Sequence, residues 1–371
     1  MIGKGLDIKG LSGVSAAEGG TAETRGGQEP SAPRLLPPMR KRARQQGFLT
    51  FRRMITPLAI LPGVGLIAIL WFLTDYSWPS VKLNGWSFIT SNDWNLGNMY
   101  ADPITVHGQQ ILVGAHYGIL FLIAGTLLST AIAVAIAVPL GVGSAMFLAE
   151  GVPGPMRPWI SFFVEMLAAV PSVVFGLWGL VVVIPFLGHY VFPWMAAHFG
   201  FIPYIGGDTG SGYGLLTSGL VLTLMIVPLI TATVRDALVS QPTGLREAAL
   251  ALGATRWETL WSVLLPGVRR EVIASTILAT GRALGETMAV LMISGGALNY
   301  LPKNIYAPIF TMAAFIASQL DSALTDPTGM AVRALSEVAL VLCVISVIVN
   351  SAARILLYYG NRQRAGATSW L

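Results

Sequence analysis

Arg282 and Glu286 are the charged residues whose setting most strongly suggests chemistry. They lie in GRALGETMAV, residues 281–290, within an apolar segment from Val272 to about Leu298. A spacing of four residues places both side chains on one face of a continuous helix. A charge in hydrocarbon costs about 2.5–3.5 kcal/mol on insertion scales, so such residues pair or face water. Beside water, a guanidinium attracts an oxyanion and a carboxylate accepts a hydrogen bond from one that keeps a proton.

The alternative interpretation is a structural ion pair that only locks this helix against its neighbours. Gly281 and Gly285 favour the functional interpretation, because residues without a Cβ leave room for a substrate or another backbone. Ser275, two turns before Arg282, is a further candidate for a polar path through the membrane. So is Glu165 in an earlier apolar segment, although its carboxylate could instead cap a neighbouring helix.

The composition indicates an integral membrane protein. Of its 371 residues, 54% are hydrophobic and 11% are charged, and the mean hydropathy is +0.67. A soluble domain carries about 25% charged residues. The positive net charge is not a nucleic-acid signature, because ten of the 23 Lys and Arg residues lie in the first 54 positions, ahead of the first apolar run. Residues 1–46 lack apolar periodicity and are expected to form a disordered cytoplasmic tail.

The apolar runs predict an all-α membrane protein with six transmembrane helices, in a transmembrane domain that covers residues 47–371. A run of about 20 residues crosses a ~30 Å hydrocarbon layer. Pro139, Pro171 and Pro228 are expected to kink their helices. The predicted spans are 55–74, 117–149, 158–186, 215–234, 272–298 and 333–358.

The distribution of Lys and Arg predicts the orientation of these spans. Basic residues concentrate in the N-terminal segment, the 235–271 loop and the C-terminal end, whereas Lys82, Lys303 and Arg333 lie on the opposite side. The positive-inside rule therefore places both termini and the 235–271 loop in the cytoplasm. On the outer side, residues 306–320 are expected to form an amphipathic helix near the membrane surface. Glu337 is expected to pair with Arg333 one helical turn away.

Catalytic, metal and disulfide sites are not indicated. Cys343 is the single cysteine, and the four histidines lack the spacing of metal ligands. No nucleophile, base and orienting group recur at a workable spacing, and no cofactor fingerprint is present. We therefore expect no cofactor and no enzymatic activity of this chain itself.

The 235–271 loop contains the most specific pattern, EAALALGATRWETLWSVLLP, from Glu247 to Pro266. A run of strong helix formers ends at Gly253, where a left-handed residue is wanted. Thr255 and Glu258 then have the spacing of a capping box that begins a second helix. The loop is therefore expected to be a rigid helix–glycine–helix corner built to be held by another protein.

This pattern resembles the EAA loop of ABC importer permeases. The matching residues are Glu247, Ala248, Ala249, Gly253, Leu265 and Pro266, with Val263 where isoleucine is usual. The resemblance implies a type I importer permease fold and a loop, residues 243–266, that docks into a cytosolic ATPase subunit. The sequence contains no G-x-x-x-x-G-K-[ST] phosphate loop, so ATP hydrolysis is expected on a separate polypeptide.

Three further stretches resemble the permeases of high-affinity phosphate importers: VPLGVGSAMFLAE (138–150), AAVPSVVFGLWGL (168–180) and GRALGETMAV. The resemblance extends from about residue 55 to the C-terminus. It implies a bacterial inner-membrane subunit that works with a second homologous permease, two cytosolic ATP-binding subunits and an external phosphate-binding protein. It also implies that Arg282 and Glu286 take part in phosphate passage. Glu286 would accept the hydrogen bond of a protonated phosphate and repel sulfate.

Two alternative functions remain at this stage. A permease for sulfate, molybdate or tungstate would share the fold and the loop. A secondary transporter could use six spans and an Arg–Glu pair without ATP. No inverted repeat between the halves supports the second alternative, and the glycine-cornered loop would then have no purpose.

Overall fold

A computed structural model describes the backbone of residues 39–365 and the side chains of residues 55–355. The chain divides into two compact units, residues 1–63 and residues 64–371. The predicted tail falls mostly outside the described residues, although the first helix begins at Met39, before the expected boundary at residue 47. The helices are α1 (Met39–Asn84), α2 (Ser87–Thr90), α3 (Leu120–Met146), α4 (Arg157–Ala169), α5 (Ser172–Trp178), α6 (Ile184–Phe186), α7 (Phe192–Phe199), α8 (Leu215–Val239), α9 (Thr243–Ala251), α10 (Arg256–Thr259), α11 (Leu265–Gly267), α12 (Arg269–Leu284), α13 (Met288–Ile293), α14 (Met312–Leu324) and α15 (Met330–Ala365).

Within the described residues, five helical segments are long and apolar enough to cross a membrane. They are Ile55–Asn84, Leu120–Gly151, Ser172–Phe199, Leu215–Val239 and Met330–Ile355. Four of them correspond to the predicted first, second, fourth and last spans, with ends that differ by several residues. Helices α3 and α8 continue through Pro139 and Pro228. The all-α membrane architecture is therefore confirmed. Two of the six predicted spans, however, are interrupted and do not form continuous helices over the predicted ranges.

The predicted span 158–186 is wrong as a single helix. Helix α4 ends at Ala169, and Val170 is extended, with φ −64° and ψ 129°. The residue before a proline is disfavoured in the α conformation, so Pro171 ends the helix rather than kinking it. The membrane-length helix instead runs from Ser172 to Phe199, joined through π-helical turns at Gly179–Val183 and Leu187–Val191. It extends into residues that the sequence had indicated as a loop.

The predicted span 272–298 is also wrong as a single helix. It is divided into α12, which ends at Leu284, and α13, which begins at Met288. Gly285 lies at the end of α12 with φ −93° and ψ 3°. Glycine has the weakest helix propensity after proline, which favours the end of a helix at this residue. Helix α13 packs instead against α5, where a Cβ at Gly176 would lie 3.0 Å from Ala289 Cα.

The central helix pair is α3 and α8, which approach closely through small residues. A Cβ at Gly141 would lie 2.8 Å from Ile230 Cγ2, and a Cβ at Gly219 would lie 2.9 Å from Ile132 Cβ. Such glycines allow membrane helices to pack backbone against backbone. Two threonines of α8 add hydrogen bonds across the pair, from Thr223 Oγ1 to the Ala133 carbonyl (3.3 Å) and from Thr231 Oγ1 to the Gly141 carbonyl (3.2 Å). This pair positions α8 for the site described below.

An aromatic cluster lies on the side of the protein that is predicted to face outward from the membrane. It is built on two short antiparallel strand pairs: β1 (Trp94–Asn95) pairs with β4 (His116–Tyr117), and β2 (Ile104–Val106) forms a hairpin with β3 (Gln109–Ile111). Trp94 packs edge-on against Tyr117 and against Phe315 of α14. The predicted surface helix exists as α14, but its first turn is buried rather than superficial.

Glu337 of α15 is buried and accepts a hydrogen bond from Ser80 Oγ of α1 at 2.6 Å. The expected ion pair with Arg333 is not among those within 4 Å that the described side chains form. Burial against α1 explains the difference, because the hydroxyl satisfies the carboxylate without bringing a second charge into the membrane.

Candidate functional site

Arg282 and Glu286 do not share a continuous helix. Arg282 lies in the last turn of α12, and Glu286 lies in the non-helical link to α13. Arg282 is exposed and Glu286 is partly buried in the isolated chain. Within the part of the chain whose side chains are described, no ion pair within 4 Å joins them. The i, i+4 pairing that the sequence suggests is therefore broken by Gly285.

Arg282 opens onto a cleft of about 670 Å³ between α8, α12 and α15, which we call the Arg282 cleft. Its lining residues are Leu229, Ala274, Ile277, Leu278, Gly281, Arg282, Asn350 and Arg354. A Cβ at Gly281 would lie 3.5 Å from the Asn350 amide nitrogen. The absence of a side chain at Gly281 therefore leaves the space between Arg282 and α15 open, as the sequence suggested.

Asn350 and Arg354 belong to this cleft but were not singled out from the sequence. Arg354 is one of the basic residues of the C-terminal end that predict the orientation of the spans. Asn350 is a polar residue in an apolar span, which is itself a signal of function in membranes. The residues next to Asn350 in the sequence form no pattern that predicts its proximity to Arg282, which lies on a different helix.

Ser275 and Glu165 lie away from this cleft. The Ser275 side chain is buried, and its hydroxyl donates to the Val272 carbonyl at 2.9 Å. Glu165 Oε1 instead accepts from Arg235 Nη2 of α8 at 2.9 Å, and Arg235 also contacts Asp236 at 2.6 Å. Arg235 and Glu165 line a separate cavity of about 530 Å³ near the cytoplasmic end of α8. This arrangement favours the structural alternative for Glu165.

The second candidate site is the cytoplasmic knob, which we define as residues 243–267, from α9 to α11. Both local predictions for it are confirmed. Gly253 has φ +87°, and its N–H donates to the Leu250 carbonyl at 3.0 Å. The Thr255 hydroxyl accepts from the Glu258 N–H, and the Glu258 carboxylate accepts from the Thr255 N–H at 2.8 Å. These last two bonds form a complete capping box.

The capping box also changes the acidity of Glu258. The Thr255 N–H and then the Thr255 hydroxyl stabilise the ionised carboxylate, so the pKa of Glu258 lies below its usual value. The ionised form therefore holds the start of α10. This effect is local, because Glu258 is itself exposed.

The knob is attached to the membrane helices at two points. Arg246 of α9 forms an ion pair with Glu150, which lies in the π-helical turn that extends α3. The Gln241 side-chain amide, just after α8, donates to the Leu264 carbonyl at 2.7 Å. The knob also follows α8 and precedes α12 directly in the chain. A force on the knob would therefore reach α3, α8 and α12 together.

The outer face of the knob is apolar and uncovered in the isolated chain. Leu252 is 89% exposed, Trp257 64% and Trp261 57%, and the two indole rings stack with centroids 6.1 Å apart. Exposed apolar patches of this kind mark surfaces that another protein covers. Glu247, Ala248 and Pro266 are exposed in the same segment, Leu265 is half-buried, and Ala249 packs inward.

Comparisons with known proteins cover both candidate sites. Residues 137–362 match the family described as "Binding-protein-dependent transport system inner membrane component". "Phosphate transport system permease protein PstC 1" of Mycobacterium tuberculosis is 45% identical over 299 residues, which cover 80% of this chain and 88% of that protein. "Phosphate transport system permease protein PstC" of Pasteurella multocida is 36% identical over 312 residues, which cover 83% and 91%. A solved alginate ABC transporter chain aligns with a TM-score of 0.48 at 15% identity, over 81% of this chain and 95% of that one.

Proposed function

Because the chain belongs to the family of binding-protein-dependent transport system inner membrane components, we propose that it is the transmembrane permease subunit of an ATP-driven importer of inorganic phosphate. The observation that carries this proposal is the 45% identity to a phosphate transport permease over 80% of the chain. The chain is an inner-membrane transport subunit and not itself an enzyme. ATP is hydrolysed on separate ATP-binding subunits.

Arg282 supplies the positive charge that attracts phosphate inside the membrane. It lies in the last turn of α12 and opens onto a cleft with room for an anion that keeps part of its water. Glu286, in the link that follows, lies outside the lining of this cleft; we assign it to the next part of the path, where it accepts a hydrogen bond from a protonated phosphate. One cation offset by one anion attracts the substrate without trapping it, which transport requires.

The cytoplasmic knob couples this path to ATP. Its apolar outer face, with Leu252 and Trp257, docks into the ATP-binding subunit, with Glu247, Ala248, Ala249, Gly253, Leu265 and Pro266 forming the docking segment. Closure of the ATP-binding subunits displaces the knob. Because α8 and α12 continue directly from the knob and also line the Arg282 cleft, the displacement changes the shape of the cleft.

The complete importer contains further subunits. A second homologous permease forms the other half of the path, and Arg282, which is exposed in the isolated chain, is accessible to such a shared surface. Two cytosolic ATP-binding subunits hold the two knobs. An external phosphate-binding protein delivers the substrate to the outer end of the permease pair.

The proposal is tested by uptake of labelled phosphate into vesicles that contain the complete importer. We expect Arg282→Gln to lower the maximal rate by about tenfold or more, because charge-assisted hydrogen bonds are the strong ones. Arg333→Gln is the matched control, since it removes an arginine from α15 outside the cleft. Copurification of the ATP-binding subunits with each variant verifies assembly.

Competition distinguishes phosphate from other oxyanions. Sulfate, molybdate and tungstate in excess should leave labelled phosphate uptake unchanged in the unaltered importer. Transport of one of these in place of phosphate would refute the proposal. Glu286→Gln should weaken the preference for phosphate over sulfate, and an unchanged preference would show that Glu286 has no such role.

A further inference from the structure

The Arg282 cleft contains two cations that come from different helices. Arg282 is on α12 and Arg354 is on α15, and both line the same cavity. Among the described residues, no acidic side chain lines it. Two guanidinium groups without a carboxylate create a positive electrostatic potential in the cleft. Because the walls of the cleft have a low dielectric constant, this potential raises the local concentration of anions.

Asn350 lies between these cations and lacks a partner within the described chain. Its Oδ1 atom is buried and accepts no hydrogen bond. Buried polar atoms in native proteins almost always have a partner, so an unsatisfied one indicates a missing ligand or water. A side-chain amide offers a donor and an acceptor side by side. Phosphate at neutral pH presents both acceptor oxygens and a P–OH donor, and it therefore matches this amide.

The two cations lie at different depths along the cleft. The α12 positions that line it run from Ala274 to Arg282, about 12 Å at 1.5 Å per residue. Asn350 lies opposite Gly281, beside Arg282. Arg354 follows one turn later on α15, about 6 Å nearer to the cytoplasmic end. The cleft thus contains a cation beside Asn350 and a second cation on the inward side.

We propose that Asn350 and Arg354 form, with Arg282, an inorganic phosphate site in the cytoplasmic half of the path. Arg282 and the Asn350 side-chain amide group hold the anion first. Arg354 then receives the anion on its way to the cytoplasm. This inference rests on the proposed function, and it adds two substrate-contacting residues from the last helix.

Arginines near the end of a membrane helix also bind the phosphate of lipid headgroups. The chemistry of the two ligands is shared, so the experiment must separate them. A headgroup contact would make any effect of Arg354 depend on anionic lipid. A substrate contact would make the effect independent of lipid charge.

The test measures labelled phosphate uptake by the complete importer in vesicles of phosphatidylcholine alone and of phosphatidylcholine with phosphatidylglycerol. We expect Arg354→Gln and Asn350→Leu each to lower the maximal rate about tenfold in both lipids. The external KM should stay unchanged, because the binding protein captures phosphate before it reaches this site. Ser351→Ala, an exposed neighbour outside the cleft lining, should transport as the unaltered importer does.

Each outcome has one meaning. An unchanged rate in Arg354→Gln and Asn350→Leu, with loss in Arg282→Gln, would overturn this site while the proposed function stands. A defect confined to vesicles with phosphatidylglycerol would assign Arg354 to lipid and also overturn it. Absence of phosphate uptake by the unaltered importer would instead refute the proposed function.

Discussion

The cytoplasmic knob and the Arg282 cleft are built from opposite kinds of contact. In the knob, the defining bonds join residues close in sequence, such as Thr255 with Glu258 and Gly253 with Leu250. The cleft instead brings Leu229, Arg282 and Asn350 together from three separate helices. The knob is therefore a local structure that presents a surface, whereas the cleft exists only while α8, α12 and α15 keep their packing.

This difference affects how a movement of the knob is coupled to the shape of the Arg282 cleft. The capping bonds of the knob join residues within it, so we expect the knob to move as one body when a partner displaces it. A cleft formed between helices changes shape whenever those helices shift. The combination converts a rigid displacement at the surface into a change of access inside the membrane.

The largest effect is expected where distant helices meet. Gly141→Ala on α3 would place a Cβ 2.8 Å from Ile230 Cγ2 of α8, and we expect a loss of about 1–3 kcal/mol of stability from overpacking. Gly143→Ala is the matched control, because a Cβ there meets nothing within 4 Å. Thermal unfolding of the purified importer measures both. Equal melting temperatures would show that the α3–α8 contact does not limit stability.

A somewhat smaller effect is expected from backbone conformation within the knob. Gly253 has φ +87°, and a residue with a Cβ pays about 1–2 kcal/mol in the left-handed region. Gly253→Ala should therefore destabilise the knob, measured as faster amide exchange in α9 and α10. Gly244→Ala, in α9 and with equally open space around its Cβ, should slow exchange instead. If both variants behave alike, the φ angle is not the cause.

The capping box should make α10 sensitive to acid. The folded-state pKa of Glu258 is below its ordinary value of 4.5, so its stabilising effect is complete above that value and is lost as the pH falls through the folded pKa. Amide protection in α10, corrected for intrinsic rates, should therefore fall below pH 4.5. At neutral pH, Thr255→Ala should accelerate exchange about fivefold. Retention of protection at low pH would contradict the assignment.

The smallest effect is expected at the ion pair that joins the knob to the end of α3. Arg246 and Glu150 are partly exposed, and such pairs contribute about 0.2–1 kcal/mol. Glu150→Arg or Arg246→Glu alone should reduce phosphate transported per ATP hydrolysed by a few-fold. The double exchange should restore most of it, since it recreates the attraction with opposite signs. Failure of the double exchange would mean that the contact does not transmit the movement.

How much of each region the sequence predicts depends on how far apart in the sequence its contacting residues lie. Gly253, Thr255 and Glu258 were placed correctly because a helix cap depends on residues within one or two turns. Arg282 was singled out as a charge in an apolar segment, and its role in phosphate passage stays a prediction. The prediction that it shares the face of a continuous helix with Glu286 was wrong, because periodicity assumes a helix that in fact ends at Leu284. Asn350 was missed, because no local pattern reveals which helix it faces.

The sequence by itself determined the membrane class, the basic side of the chain and the form of the cytoplasmic knob. These properties depend on composition and on bonds between near neighbours, which are readable along the chain. Tertiary structure alone decided that Glu165 pairs with Arg235, and that Asn350 and Arg354 line the cleft of Arg282. Helices in a membrane gain little from burying apolar faces against lipid, so close packing of small residues and a few polar contacts select their neighbours.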